Sequence, residues 1–219
     1  MSTNEDHKNV AEPILPDEEL AVNRDKRVRS IMMWTSIALA AIVIGSIAYI
    51  FGYRQPAIEN GNEAIGVADS QLAAGNDSVA LDLYQQIAAD HGFAAGNRAA
   101  LQSAILLYDK GEYQNALEYL EGYDASDDIV AACATALKGD CYANLDQLDK
   151  AEAAFTKAAS LSGANKALVP YFLLKKAHVL EASQKWAEAA AVYGIIEREY
   201  AAFARQCGAE AARLRCEAL

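Results

Sequence analysis

Histidine and cysteine, which build many metal and nucleophilic sites, are scarce in this sequence. It contains three histidines and four cysteines among 219 residues. The cysteines, Cys133, Cys141, Cys207 and Cys216, form no CxxC pair and no Cys/His metal spacing. Nucleophile elbows, P-loops, dinucleotide-binding fingerprints, HExxH motifs and EF-hand loops are also absent. The sequence therefore predicts a protein that is not an enzyme and binds no cofactor or metal.

Basic side chains are too few for a nucleic-acid-binding protein. The chain has 19 lysines and arginines against 30 aspartates and glutamates, a formal net charge of -11. Proteins that bind nucleic acid neutralise phosphates with clustered Lys and Arg, and no basic stripe with interleaved aromatics occurs here. We therefore expect no nucleic-acid partner.

Charge is missing altogether from one long stretch, residues 31–52. At 1.5 Å per residue such a helix is long enough to cross a hydrocarbon core of about 30 Å. Trp34 lies near one end, and Tyr49 and Tyr53 lie near the other, as in the aromatic belts of membrane interfaces. A cleaved signal peptide is the alternative, but its apolar core normally spans about 7 to 15 residues after a short n-region. The stretch is predicted to be an uncleaved transmembrane signal anchor.

The flanking charges predict the orientation of this anchor. Four basic residues lie between positions 24 and 29, whereas only Arg54 follows the stretch before Arg98. By the positive-inside rule, residues 1–30 are cytoplasmic and the rest lies across the inner membrane, in the periplasm or another extracytoplasmic space. Residues 1–30 are polar without apolar periodicity, which predicts a largely disordered tail. Residues 53–60 are predicted to be a linker in which Pro56 interrupts the helix.

Residues 61–219 contain a repeated spacing of small and bulky side chains. The clearest copy has offsets of three, nine, four and three residues between Gly139, Tyr142, Ala151, Phe155 and Ala158. The same ladder fits Ala177, Leu180, Ala189, Tyr193 and Ile196; Ala104, Leu107, Ala116, Leu120 and Tyr123; and, less well, Ala68, Gln71, Ala80, Tyr84 and Ile87. The equivalent alanines at 80, 116, 151 and 189 lie 36, 35 and 38 residues apart. That period is close to the roughly 34 residues of helix-turn-helix repeats.

Small residues are expected where the two helices of a hairpin cross at close range. Gly139 and Ala151 are predicted at such a crossing, with Tyr142 and Phe155 filling the wedge on either side. Ala158 would then let the next repeat stack closely. Four hairpins are predicted, at about 61–90, 98–124, 132–163 and 168–200. A capping helix over about 202–217 follows, with an apolar stripe of Phe203, Cys207, Ala211 and Leu214 facing the array.

The outward positions of the first helix in each hairpin predict a partner-binding groove. In the second to fourth hairpins these positions are Leu101, Ile105, Tyr108, Asp109, Asp140, Asn144, Leu174, His178 and Glu181. An apolar strip beside an acidic border suits an extended or helical segment with apolar anchors and some Lys or Arg. The alternative is that these side chains pack against a neighbouring helix or the cap.

The repeats resemble the tetratricopeptide family, and the whole layout resembles the YfgM-like family of ancillary Sec translocon subunits. The second resemblance covers about residues 24–203 and includes the stretches 95–99, 137–142 and 176–182. It implies a chaperone-like periplasmic adaptor that binds translocon components, a membrane-anchored prolyl isomerase or chaperone, or secreted clients. It implies no catalytic residues. A structural scaffold of an envelope complex, built on repeat stacking without groove binding, is the second hypothesis.

Overall fold

A computed structural model describes residues 17–90, 93–125, 127–163 and 165–219. These ranges contain eleven α-helices and no strand, which confirms the all-α fold class. The chain divides into two compact units, residues 1–56 and residues 57–219. The helices are α1 Asp17–Tyr49, α2 Gln55–Ala73, α3 Asp77–Asp90, α4 Phe93–Asp109, α5 Tyr113–Glu121, α6 Asp128–Asn144, α7 Leu148–Leu161, α8 Leu168–Ala182, α9 Trp186–Glu199, α10 Ala201–Cys207 and α11 Ala209–Glu217.

The N-terminal helix α1 begins earlier than the sequence predicts. Residues 17–30 are helical, whereas polarity and missing periodicity predicted disorder up to residue 30. The helix continues because residues 24–29 are rich in Lys and Arg, which are good helix formers. Asp25 and Arg29 also lie one turn apart, with 3.9 Å between their charged groups. The remainder of the predicted tail, residues 1–16, lies outside the described residues.

Pro56 does not break the helix, contrary to the expectation for residues 53–60. A five-residue π-helical segment, Ile50–Arg54, precedes it, and the Gln55 amide donates to the Ile50 carbonyl five residues back. Proline has no amide to donate, and its ring crowds the carbonyl four residues earlier. The wider turn gives that ring room while the backbone stays helical.

Apolar side chains of the first unit are exposed. Every side chain from residue 24 to residue 56 is exposed, and Ile31, Trp34, Ile42 and Phe51 are each more than 60% exposed. Exposing apolar surface of this size to water is energetically unfavourable. Within the described residues, one segment, in Arg24–Ala73, is long and apolar enough to cross a membrane by length and composition.

The second unit is a series of helical hairpins formed by α2 with α3, α4 with α5, α6 with α7, and α8 with α9. The small residues of the repeated ladder are at the packing surfaces: Ala68, Ala80, Ala104, Ala116, Ala151, Ala158, Ala177 and Ala189 are all fully buried. Four residues after Ala80, Ala116, Ala151 and Ala189, each repeat has a bulky side chain that is also buried: Tyr84, Leu120, Phe155 and Tyr193. Small and large side chains therefore alternate as close hairpin crossings require.

The crossing of α6 and α7 shows why a glycine stands at position 139. A Cβ atom added there would lie 2.8, 2.9 and 3.0 Å from three carbons of the Phe155 ring. That ring is only 2% exposed and has little freedom to move. The missing side chain of Gly139 therefore provides the space into which Phe155 packs.

All four hairpin turns share one backbone geometry. Each places a residue with positive φ five positions before its buried alanine, at 79°, 80°, 58° and 58° respectively: Gly75, Gly111, Asp146 and Gln184. In each, the next amide donates to the carbonyl five residues earlier, at 2.8 to 2.9 Å: Asn76 to Gln71, Glu112 to Leu107, Gln147 to Tyr142, and Lys185 to Leu180. This is the Schellman closure of a helix end. Because the first hairpin has the same turn geometry as the other three, it is a full repeat, although its residues fit the repeated spacing least well.

The C-terminal cap consists of two helices rather than the single one predicted. Gly208 adopts φ +70° and separates α10 from α11. The chain therefore turns, and the predicted stripe is not maintained. Ala209 and Cys216 are buried against the fourth hairpin, whereas Leu214 is 52% exposed.

Candidate binding groove

An apolar cavity of about 280 Å³ opens among the first helices of the second, third and fourth hairpins. We call it the junction cavity. Two side chains of α4 line it, five of α6 and three of α8: Leu101, Ile105, Cys133, Ala134, Ala136, Leu137, Asp140, Tyr171, Phe172 and Lys175. Ile105, Cys133 and Tyr171 are exposed there. Exposed apolar side chains around one cavity are typical of a surface that another molecule covers.

A polar cluster borders this cavity. The Lys175 ammonium lies 2.5 Å from an Asp140 carboxylate oxygen, and each side chain is less than one quarter exposed. The same ammonium lies 5.2 Å from the ring centroid of Tyr171 and 5.7 Å from that of Phe155. Ion pairing and two ring faces thus hold Lys175 in place.

Burial and pairing shift the pKa values of this cluster. Burial raises the pKa of Asp140, and the hydrogen bond and charge of Lys175 offset this only in part. Burial alone would lower the pKa of Lys175, but the Asp140 carboxylate outweighs it and raises that pKa. Burial and the charge of Asp140 raise the pKa of Tyr108, against the opposing effects of Lys175 and a hydrogen bond with Asn144. Tyr108, Asp140, Asn144 and Lys175 therefore interact as one group.

The predicted groove residues thus fall into two sets. Leu101, Ile105 and Asp140 line the junction cavity, and Tyr108 and Asn144 border it. Asp109 is exposed one turn beyond Ile105.

The other three predicted residues lie on the fourth hairpin near the cap. Leu174 packs into the core cluster of α8, α9 and the cap. Glu181 accepts from Arg215 at 2.7 Å and from the Cys216 thiol at 3.2 Å. His178 is exposed, with its ring centroid 6.5 Å from that of Tyr193. For Leu174 and Glu181 the packing alternative describes the contacts.

The sequence prediction missed seven of the ten side chains that line the cavity: Cys133, Ala134, Ala136, Leu137, Tyr171, Phe172 and Lys175. A signal for Lys175 was available, because it follows Asp140 by 35 residues, one repeat period. Opposite charges one period apart indicate a pair between neighbouring repeats. Since Lys175 is already paired with Asp140, it is not a free cation that could hold a peptide carboxylate.

Ion pairs of this kind join first helices at two repeat junctions, and another joins the fourth repeat to the cap. Asp69 of α2 binds Arg98 of α4 at 2.6 Å and also accepts from the Tyr84 hydroxyl at 2.6 Å. Asp140 of α6 binds Lys175 of α8, and Glu181 of α8 binds Arg215 of α11. Among the described residues, no ion pair joins α4 to α6, where the junction cavity opens.

The described residues also contain no group of three or more His, Cys, Asp or Glu side chains that could hold a metal ion. All four cysteines are free. The residues of the groove offer apolar contact, hydrogen bonding and ion pairing to a partner.

Comparisons with known proteins bear on the fold. No protein-family model matches the chain, and no curated protein matches it. The crystal structure of the MamA protein, a tetratricopeptide-type protein, matches with a TM-score of 0.56 and 17% sequence identity. The match covers 72% of this chain and 86% of that chain. At this identity the likeness shows the fold alone, and it confirms a tetratricopeptide-type helical array.

Proposed function

We propose that this protein is a membrane-anchored adaptor that binds segments of other proteins in the groove of its repeat array. The observation that carries this proposal is the junction cavity, where Leu101, Ile105 and Tyr171 present apolar surface around about 280 Å³. A tetratricopeptide-type fold typically mediates protein interactions rather than chemistry. Apolar anchors of a bound segment would fill the cavity, and polar groups around it would fix the orientation.

Membrane anchoring and orientation belong to the same proposal. The exposed apolar residues of the first unit would lie in the bilayer, and the basic residues between 24 and 29 would remain on the cytoplasmic side. The repeat array would then be periplasmic. The resemblance to the YfgM-like family supports a place beside the Sec translocon. Its partners there would be translocon components, a membrane-anchored prolyl isomerase or chaperone, or secreted clients.

Crosslinking in intact membranes tests the adaptor proposal. A photoreactive residue at position 108 should capture a protein partner, because Tyr108 borders the cavity. Leu101→Glu combined with Tyr108→Glu should abolish copurification of that partner, since the first change places charge on the apolar wall and the second places charge at its border. Val79→Glu is the matched control, because Val79 is 49% exposed and lies outside the cavity lining. Unchanged copurification with the double variant would contradict groove binding.

A structural scaffold is the second candidate, and the C-terminal surface is the observation that favours it. Leu214 of α11 is 52% exposed. Leu219 is 73% exposed and lines a cavity of about 980 Å³ along α9 and α11. A scaffold that assembles through this end would tolerate the groove changes. Deletion of residues 203–219 would abolish its assembly, which size-exclusion chromatography of the detergent-solubilised complex would detect.

A further inference from the structure

The repeat register shows that two exposed apolar side chains replace an ion pair at the junction cavity. Asp69 directly follows the small residue Ala68, and Arg98 precedes Ala104 by six positions. These two residues pair at the junction of the first and second repeats. At the junction of the second and third repeats, the same two register positions are Ile105, after Ala104, and Cys133, six before Gly139. Both line the junction cavity.

This replacement leaves apolar surface that no other described residue covers. Ile105 and Cys133 are exposed, and Tyr171, in the same register position of the fourth repeat, is 47% exposed. An ion pair at these positions would be solvated. Covering an isoleucine, a cysteine and a tyrosine ring instead removes apolar surface from water, which is favourable. The site is therefore suited to a large apolar side chain inserted from outside.

The charges around the cavity favour a positively charged partner. Asp140 in the wall is neutralised by Lys175, and Arg98 on the same face of the array is occupied by Asp69. Asp109, one turn beyond Ile105, and Asp128, in the first turn of α6, are exposed, and no described side chain pairs with either. Lys138, the cation of α6, has Lys157 of α7 and Glu121 of α5 as its charged neighbours. The charges left for a partner of α4 and α6 at the cavity are therefore those of Asp109 and Asp128, and a cation beside the inserted side chain would complement them.

We infer that the junction cavity binds one large apolar side chain of an extended peptide segment that carries Lys or Arg next to it. The inference rests on the proposed adaptor function and specifies the chemistry of the segment. The inserted side chain contacts α4, α6 and α8 together, so it joins the second, third and fourth repeats where the ion pair of the first junction is missing. The flanking cations interact with Asp109 and Asp128.

A photoreactive peptide tests the inference on the full chain in detergent. The probe is a nine-residue peptide with a benzophenone analogue of phenylalanine between two lysines, and mass spectrometry locates the crosslink. The wild type should crosslink at the cavity-lining residues of α4, α6 or α8. A peptide with glutamates in place of the lysines should crosslink at least about fivefold less, and added salt should reduce the yield of the lysine peptide. Crosslinks outside the cavity, or equal yields with both peptides, would overturn the inference.

The decisive variant installs the ion pair of the first junction at the second. Ile105→Asp with Cys133→Arg should fill the site with paired charges, preserve helicity and thermal stability, and lower the crosslink yield at least about fivefold. Cys133→Phe fills the cavity with a side chain of the protein itself and should lower the yield in the same way. This variant replaces the double variant in the test if the double variant folds poorly. Undiminished yield in a folded variant would refute the cavity as the site.

The same double variant separates this inference from the adaptor proposal. If position 108 still captures the cellular partner in membranes while Ile105→Asp with Cys133→Arg is present, the adaptor function stands and the cavity assignment fails. If the variant loses both the partner capture and the peptide crosslink, the result supports the adaptor function and the cavity assignment.

Discussion

Gly139 is the residue at which hairpin packing depends most directly on side-chain size. We expect Gly139→Ala to lower the free energy of unfolding by about 1 kcal/mol. Overpacking against the Phe155 ring costs about 1 to 3 kcal/mol, and the better helix propensity of alanine returns at most about 1 kcal/mol. Chemical denaturation followed by circular dichroism of the full chain in detergent measures the change.

Gly66 provides the matched control. It also lies inside a helix, α2, but a Cβ atom there would meet nothing within 4 Å. Gly66→Ala should therefore stabilise the protein by about 0.5 to 1 kcal/mol through helix propensity alone. Equal effects of the two substitutions would contradict the crossing geometry.

The residues with positive φ in the hairpin turns give a second prediction, in which substitutions at two equivalent positions change the stability in opposite directions. Gln184 adopts φ +58°, a conformation that a side chain disfavours, so Gln184→Gly should stabilise the fold by about 0.5 to 1 kcal/mol. Gly111 adopts φ +80° at the equivalent turn, and Gly111→Ala should destabilise by about 1 kcal/mol. Thermal unfolding of both variants tests the pair. A loss of stability in Gln184→Gly would show that its side chain matters more than the backbone conformation.

At the scale of elements, Glu181 links α8 to α11 in a pH-dependent way. Burial raises the pKa of this carboxyl, but hydrogen bonds from Arg215 and Cys216 outweigh burial and lower it below the ordinary 4.5. A depressed pKa contributes stability that is present above pH 4.5 and is lost as the pH falls through the folded value. Glu181→Gln should therefore destabilise by about 1 kcal/mol at pH 7 and have a smaller effect near pH 3, below the ordinary pKa.

Denaturation midpoints of wild type and variant at the two pH values test this prediction. Glu118→Gln, at an exposed position in the middle of α5, is the control and should change neither midpoint. If Glu181→Gln destabilises the protein equally at both pH values, then its effect comes from packing and not from the charge.

The elements that sequence could predict were those defined by side-chain size at fixed spacing. Gly139, Ala151 and Phe155 are recognisable because close helix crossings admit few residue types. The division of the cap at Gly208 was not predictable from the apolar stripe, since alanines on all sides of the segment fit either a straight or a bent helix. The 35-residue spacing of Asp140 and Lys175 indicated a pair between repeats, but whether the two side chains face each other depends on the helix rotation that follows from packing.

At the scale of the whole molecule, the described ion pairs and the junction cavity lie at different junctions of the array. Asp69 with Arg98 and Glu181 with Arg215 join helices near its two ends. Between them, α4 and α6 meet at an apolar opening, with Asp140 and Lys175 on its border. For the proposed adaptor, ion pairs on both sides of an apolar opening would help to shape the groove before a partner binds, which would reduce the entropy cost of binding.

The proposed orientation of the chain in a membrane gives the last prediction, and labelling of Cys133 tests it. Cys133 is exposed, whereas Cys141 and Cys216 are buried. Burial raises the pKa of the Cys141 thiol to about 11, so little reactive thiolate forms there. In a Cys207→Ser background, a membrane-impermeant maleimide added outside the inner membrane should therefore label the protein at Cys133. The control replaces Cys133 and Cys207 by serine and adds Ser30→Cys, which should be labelled only after permeabilisation. Labelling of position 30 in sealed membranes, with Cys133 protected, would reverse the orientation and place the groove in the cytoplasm.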